Sequence, residues 1–177
     1  TQCAYASERP RSGEAYRGFE GLRSRVALRP GCRLNPPRSM IREILLWPHP
    51  VLRKRARPVE AVDDSVRALV HDLFETMYAA PGVGLAAPQV GVLQRGLVLD
   101  IRPRQPDVQP VTMVNPRIVA HEGTSVYREG CLSIPGEAEE VERRAVVTVE
   151  FLDVEVQLQQ LRCEGLLATA LQHEMDH

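Results

Sequence analysis

An α+β domain is predicted for residues 40–177 of this 177-residue chain. Helical periodicity occurs near the two ends of that stretch. The interval between is filled by short runs rich in Val, Ile and Thr, separated by turn residues. Strands and helices do not alternate as in a βαβ protein, so mixed or antiparallel sheets packed around a central C-terminal helix are expected.

The elements follow in order. Ile41 to Leu46 is a short apolar run, and the prolines of Trp47-Pro-His-Pro50 force an extended path after it. Asp63 or Asp64 suits the N-cap of a helix running to about Tyr78. Val66, Leu69, Val70, Leu73, Phe74 and Met77 recur at helical spacing, so one face should be buried. Pro81-Gly82 ends that helix, and a Gly/Ala/Pro-rich loop leads to a strand over 97–101. A polar loop occupies 102–110. Residues 113–119, interrupted by Asn115-Pro116, read as an edge or bent strand, and 126–131 as another. Residues 145–152 are rich in Val and Thr and 154–158 alternate apolar and polar, so both read as strands. Gly165 opens a final helix over 166–177, and its Leu166, Leu167, Ala170 and Leu171 place it in the core.

Composition excludes several classes. Apolar residues make up 44% and charged residues 25%, with a formal net charge of −1, so nothing global points to nucleic acid or a membrane surface. No apolar run is long enough to span a bilayer. The four cysteines, Cys3, Cys32, Cys131 and Cys163, form no C-x-x-C pair, which favours a reducing compartment with free thiols. Residues 1–39 are rich in Arg and Pro and poor in apolar periodicity. They are expected to be a disordered extension or sequence upstream of a true start at Met40, with an organelle transit leader as the second choice.

The chemistry concentrates in three segments: Gly82-Val-Gly-Leu-Ala-Ala-Pro-Gln89, Glu129-Gly-Cys-Leu-Ser133 and Gln172-His-Glu-Met-Asp-His177. His173 and His177 stand at i and i+4, so one helix face presents both imidazoles to one metal ion, with Glu174 beside the first. A metal supplies a nucleophilic water, and the Glu moves its protons. Two His need a further protein ligand. Cys131 is the best upstream candidate, because a thiolate is a strong ligand for zinc or ferrous iron. Cys163 reads as core, and His49, His71 and His121 as surface or turn residues. Gly82, Gly84, Ala86 and Ala87 leave room for another backbone or a substrate to pass close by.

In this order, the three segments resemble the peptide deformylase family, over about residue 40 to the C-terminus. The resemblance implies that Cys131, His173 and His177 bind the metal, usually ferrous iron (Fe2+), with Zn2+, Ni2+ or Co2+ as substitutes. Glu174 would be general base and then acid, and the Gln89 amide and Leu132 N–H would stabilise the oxyanion. Substrates would be N-formyl-methionyl nascent peptides near the ribosome exit tunnel, lying beside Gly84 as an added strand, with Val83, Leu85 and Gly130 also lining the substrate site. No direct nucleic-acid or membrane binding is expected. Leu132-Ser-Ile-Pro-Gly136 looks bacterial more than mitochondrial, so the bacterial cytoplasm is expected ahead of an organelle. Glu129 and Arg143 are expected to pair and brace the Cys131 loop, and Asp176 to orient an imidazole or a nearby backbone group.

Three departures stand out. Family members continue past the second metal-binding His, so the chain ending at His177 is expected to be less stable and less active than an extended one. Asp153-Val-Glu-Val-Gln157 replaces a Gly-containing turn, so a longer or shifted hairpin is expected there. Ala138-Glu-Glu140 is acidic near the expected peptide groove. The competing readings are a zincin-type metallopeptidase and a catalytically silent ribosome-associated scaffold.

Overall fold

The computed structural model describes residues 40–177; the expectations for residues 1–39 lie outside that range. Helix α1 (Asp64–Ala79) begins where the Asp63 carboxylate accepts from the Ser65 and Val66 N–H groups at 3.0 and 3.1 Å, satisfying donors that a helix start otherwise leaves open. The expected apolar stripe is buried, with Leu73 and Met77 fully enclosed. The helix stops where the Gly82 N–H returns to the Met77 carbonyl at 3.0 Å.

Strands β1 (Gly84–Ala86), β2 (Gly96–Leu99), β3 (Val111–Cys131), β4 (Ile134–Leu152) and β5 (Leu158–Glu164) form one five-stranded sheet in sequential order, and each neighbouring pair is antiparallel. The expectation of mixed or antiparallel sheets thus resolves to an antiparallel meander. Helix α2 (Gly165–Asp176) follows β5 directly. The two helices pack on opposite faces of β1 and β2. Leu97 and Leu99 join the cluster with Leu167 and Leu171 of α2, while Val98 and Leu85 join Leu73 and Met77 of α1. The two-residue period of a strand puts adjacent side chains on opposite faces.

Two strand expectations are corrected. Residues 113–119 and 126–131 are parts of a single strand, β3. Asn115 does not end it. Its φ of 54° produces a bulge, and its side-chain amide holds both Val59 N and Val59 O at 2.8 Å. Most of 154–158 is a turn and not a strand. Asp153 Oδ1 accepts from the Glu155 and Gln157 N–H groups at 3.0 and 2.8 Å, and Val156 takes φ 64°. Local capping by Asp153 outweighs the apolar alternation, which has no strand to pair with there. The strand begins at Leu158, where Gln159 and Gln160 hide the pattern that buries Leu161 and Cys163.

Three contacts position the functional segments. Gln172 of α2 accepts from Arg144 N at 3.0 Å and donates to Arg144 O at 2.9 Å, clamping the helix to β4. The extended stretch after Met40 is tied at Leu45 N to Gln89 O at 2.7 Å and at Trp47 N to Ser133 O at 2.9 Å. Among the described residues, no helix is long and apolar enough to cross a membrane.

Candidate metal centre and active site

His173 on α2 and His177, the C-cap just past Asp176 where the expected helix would have included it, lie one turn apart, with ring centroids 5.5 Å apart. Cys131 ends β3, just before the tight Leu132-Ser133 turn into β4. Its Sγ stands 3.3 Å from His177 Nε2. The ligand atoms of Cys131, His173 and His177 lie within 4.8 Å of one another. The three expected ligands, distant in sequence, therefore converge.

Glu129 reaches the same place because residues two apart in a strand share a face. Its Oε2 accepts from His173 Nδ1 at 2.9 Å, leaving Nε2 of that ring for a metal. Arg143 grips both oxygens of Glu129, which is the expected pair. Arg143 Nη1 also donates to Asp176 Oδ2 at 2.9 Å. The expectation that Asp176 orients an imidazole is corrected: Asp176 contacts Arg143, and Glu129 holds His173. Sequence reasoning missed this role of Glu129, although its position two before Cys131 carried the signal.

Gln89 is buried at 1% exposure. Its Oε1 accepts from Ala86 N at 2.8 Å, which aims Nε2 at Ser133 Oγ, 3.3 Å away, and at Cys131 Sγ, 3.7 Å away. Buried Ser133 thus fixes the Gln89 amide, a second role missed in the sequence. The clamping role of Gln172 is a third. Both residues stand inside the motifs, where conspicuous neighbours drew attention away from them.

Electrostatics fit metal chemistry. Burial opposes ionisation of Cys131, but hydrogen bonds from His173 and His177 overcome it and lower the thiol to about 6. The hydrogen bond to Cys131, with Glu129 behind, raises His173 to about 9 against its burial. Burial pushes Glu174 up to about 7, against the pull of His173 and His177. Burial opposes the charge on Glu129 too, yet hydrogen bonds from Arg143 and His173 hold its carboxyl below the usual range.

The cluster opens into a cavity of about 480 Å³ lined by Gly82, Val83, Gly84, Gly130, Leu132, Thr169 and Glu174, among others. Gly84 is required there: a Cβ on it would stand 2.5 Å from Glu174 Oε1. Leu85 is the exception among the expected substrate residues. Its side chain is fully buried in the α1 cluster, on the face of β1 opposite Gly84. Cys163 is core as expected, and His49, His71 and His121 are exposed.

The donor set suits a divalent ion, since a thiolate with two imidazoles is a zinc or ferrous-iron ligand set with room for a further ligand. Glu174 Oε2 supports the fit, because it is buried without a hydrogen-bond partner beside these ligands.

The family model of polypeptide deformylase matches residues 41–177. The chain is 51% identical to the peptide deformylase of Rhizobium meliloti over 138 residues, covering 77% of this chain and 79% of the relative. It is 50% identical to the peptide deformylase of Phenylobacterium zucineum over 138 residues, covering 77% and 82%. The crystal structure of a peptide deformylase from Legionella pneumophila superposes with a TM-score of 0.74 at 48% identity, over 78% of this chain and 80% of that one. The structure of the Thermotoga maritima enzyme gives 0.73 at 39% identity, over 78% and 91%. A converging thiolate and imidazole pair, a buried carboxyl beside them, and half-identical relatives across the whole described region make this chain a member of the peptide deformylase family.

Proposed function

We propose that Glu174, Gln89 and Leu132 carry the deformylase reaction of this chain, with Cys131, His173 and His177 holding ferrous iron or a substituting divalent ion. The reaction removes the N-formyl group from formyl-methionine at the start of new polypeptides. Water adds to the formyl carbon, the C–N bond breaks, and formate and a free amine are released. A divalent metal in this site polarises the formyl carbonyl and lowers the pKa of a water.

The chain's own groups do the rest. The unpartnered Glu174 Oε2 is the observation that carries the reading. A carboxyl poised at about 7 takes a proton from the attacking water and returns it to the leaving nitrogen. Oxyanion stabilisation needs donors already aimed at the developing charge. Gln89 Nε2, locked by Ala86 and Ser133, supplies one, and the Leu132 N–H at the β3–β4 turn supplies the other. Val83, Gly84 and Gly130 give the substrate backbone its track. The bacterial cytoplasm and the vicinity of the ribosome exit tunnel are the working place that this chemistry and the family resemblance favour.

The test is formate release from formyl-Met-Ala-Ser by protein loaded anaerobically with ferrous iron. Turnover abolished in Glu174→Ala is expected. Cleavage of an internal bond in an unformylated peptide would favour the zincin alternative. Absence of any turnover with metal bound would favour the silent scaffold.

A further inference from the structure

Three of the cavities among the described residues touch the Cys131–His173–His177 cluster, and they differ in which of its members they reach. The cavity beside Gly84, of about 480 Å³, reaches Cys131 and His173. A second, of about 500 Å³, reaches His177 alone. A third, of about 290 Å³, is lined by Cys131, His173 and His177 together.

The third cavity follows from the strand pairing. β5 pairs with β4 only over Val146 to Leu152, so the part of β4 before Val146 has β3 on one side and a free edge on the other. Ala138, Glu139 and Val141 of that part line the cavity together with Asp176 at the end of α2.

Charge separates the three. The first is bordered by exposed Arg104 and Arg128, and neither forms an ion pair among the described residues. The second is bordered by Arg53, Lys54, Arg55 and Arg95, again without ion pairs among the described residues. In the third the balance reverses. Glu129, Glu137, Glu139 and Asp176 stand there against the single guanidinium of Arg143, which Glu129 and Asp176 already engage. Glu137, which also borders the first cavity, and Glu139 are exposed and unpaired among the described residues.

A cleft lined by one sign of charge concentrates the opposite ion and speeds its arrival, and a cationic rim slows a cation. The floor of the third cavity makes it more than an acidic surface, because that floor is the thiolate and imidazole set itself. A cation entering there meets all three side chains without passing Gly84 or Glu174, neither of which lines it.

We infer that divalent cations reach and leave the Cys131–His173–His177 set through this third cavity, along the free edge of β4, with Glu137 and Glu139 drawing them in. Metal and peptide then use separate openings. The inference rests on those three residues being the metal ligands.

The experiment follows uptake of Co2+ by the metal-free whole chain in stopped flow, read by the thiolate-to-cobalt absorption band. Glu137→Gln/Glu139→Gln should take up cobalt about tenfold more slowly than wild type at low ionic strength, and the difference should shrink as salt screens the rim. Arg104→Gln/Arg128→Gln and Arg53→Gln/Arg55→Gln should keep about the wild-type rate. Ala138→Trp places an indole in the third cavity, and should slow uptake and chelator-driven release by the same factor with equilibrium affinity unchanged, as a barrier on the route requires. Wild-type uptake in the glutamate double variant overturns the inference. So does faster uptake when the arginines of either other rim are removed, or wild-type exchange in Ala138→Trp. If Ala138→Trp misfolds, its equilibrium affinity is lost and the charge variants decide. A wild-type protein that binds cobalt without the thiolate band overturns the ligand set and the route with it, whereas a normal band with rates insensitive to every variant overturns the route alone.

Discussion

Glu129 and His173 are joined by a 2.9 Å hydrogen bond from the ring Nδ1 to the carboxylate, 44 positions apart in sequence. Through it the β3 strand sets the orientation of a candidate metal ligand on α2, and Arg143 holds the carboxylate in turn. Glu129→Gln and Arg143→Ala should each weaken metal affinity by about 10- to 100-fold. Competition with a chromophoric chelator reads this directly, and wild-type affinity in both variants would remove the orienting role.

Gly84 and Glu174 are in contact with no space between them, so Gly84→Ala must push the carboxyl out of place. A shift of this kind near the reacting atoms should lower kcat by about 10- to 100-fold. Metal content should stay at the wild-type level. Full turnover with the alanine in place would show that the Glu174 position is not critical.

Gln89 is braced on its oxygen side by Ala86 and on its nitrogen side by Ser133. Gln89→Leu should cost about 10²- to 10³-fold in kcat through loss of one oxyanion donor. Ser133→Ala leaves the amide present but less well aimed, so a smaller loss is expected. Steady-state kinetics of the two variants ranks the effects, and equal losses would argue against an orienting Ser133.

In metal-free protein the Cys131 thiol titrates at about 6, because His173 and His177 stabilise its thiolate against the effect of burial. Its alkylation by iodoacetamide should therefore rise through about pH 6 and level off above it. Added zinc or ferrous iron should suppress the reaction by occupying the sulfur. A midpoint in the ordinary thiol range, near about 8.5, would show that the imidazoles do not pair with it.

Asp100 is held at about 2 by hydrogen bonds from Arg102, against its burial, with Tyr78 adding a further bond at 2.7 Å. A carboxyl depressed on folding stabilises the native state above its unfolded pKa of about 4, and that contribution fades as pH falls toward 2. Arg102 is half-exposed, so solvent screening leaves about 1 kcal/mol at neutral pH. The Tm deficit of Asp100→Asn relative to wild type should be full above pH 4 and shrink toward pH 2. A deficit independent of pH would assign the effect to packing.

Much of the site was legible because its chemistry demands local spacing. Two imidazoles four apart on a helix and a carboxylate beside one of them can be read without coordinates. So can helix α1, whose Asp63 cap and apolar stripe are local. Residues 154–158 misled because alternation alone cannot reveal whether a pairing strand is present. Strand β3 read as two pieces because Asn115-Pro116 resembles a break, when the Asn115 side chain in fact satisfies the backbone of Val59. Leu85 stood inside a functional loop, and only the sheet shows that it faces α1.

The sequence by itself determined the α+β class and which residue types stand as candidate ligands and candidate proton carrier, because residue chemistry and short-range periodicity are properties of the chain. Tertiary structure alone decided that Glu129 grips His173, that Ser133 aims Gln89 and that Gly84 makes room for Glu174. Each of these depends on which faces meet when β3, β1 and α2 pack together, and long-range packing is a relation between distant segments that neither segment carries alone.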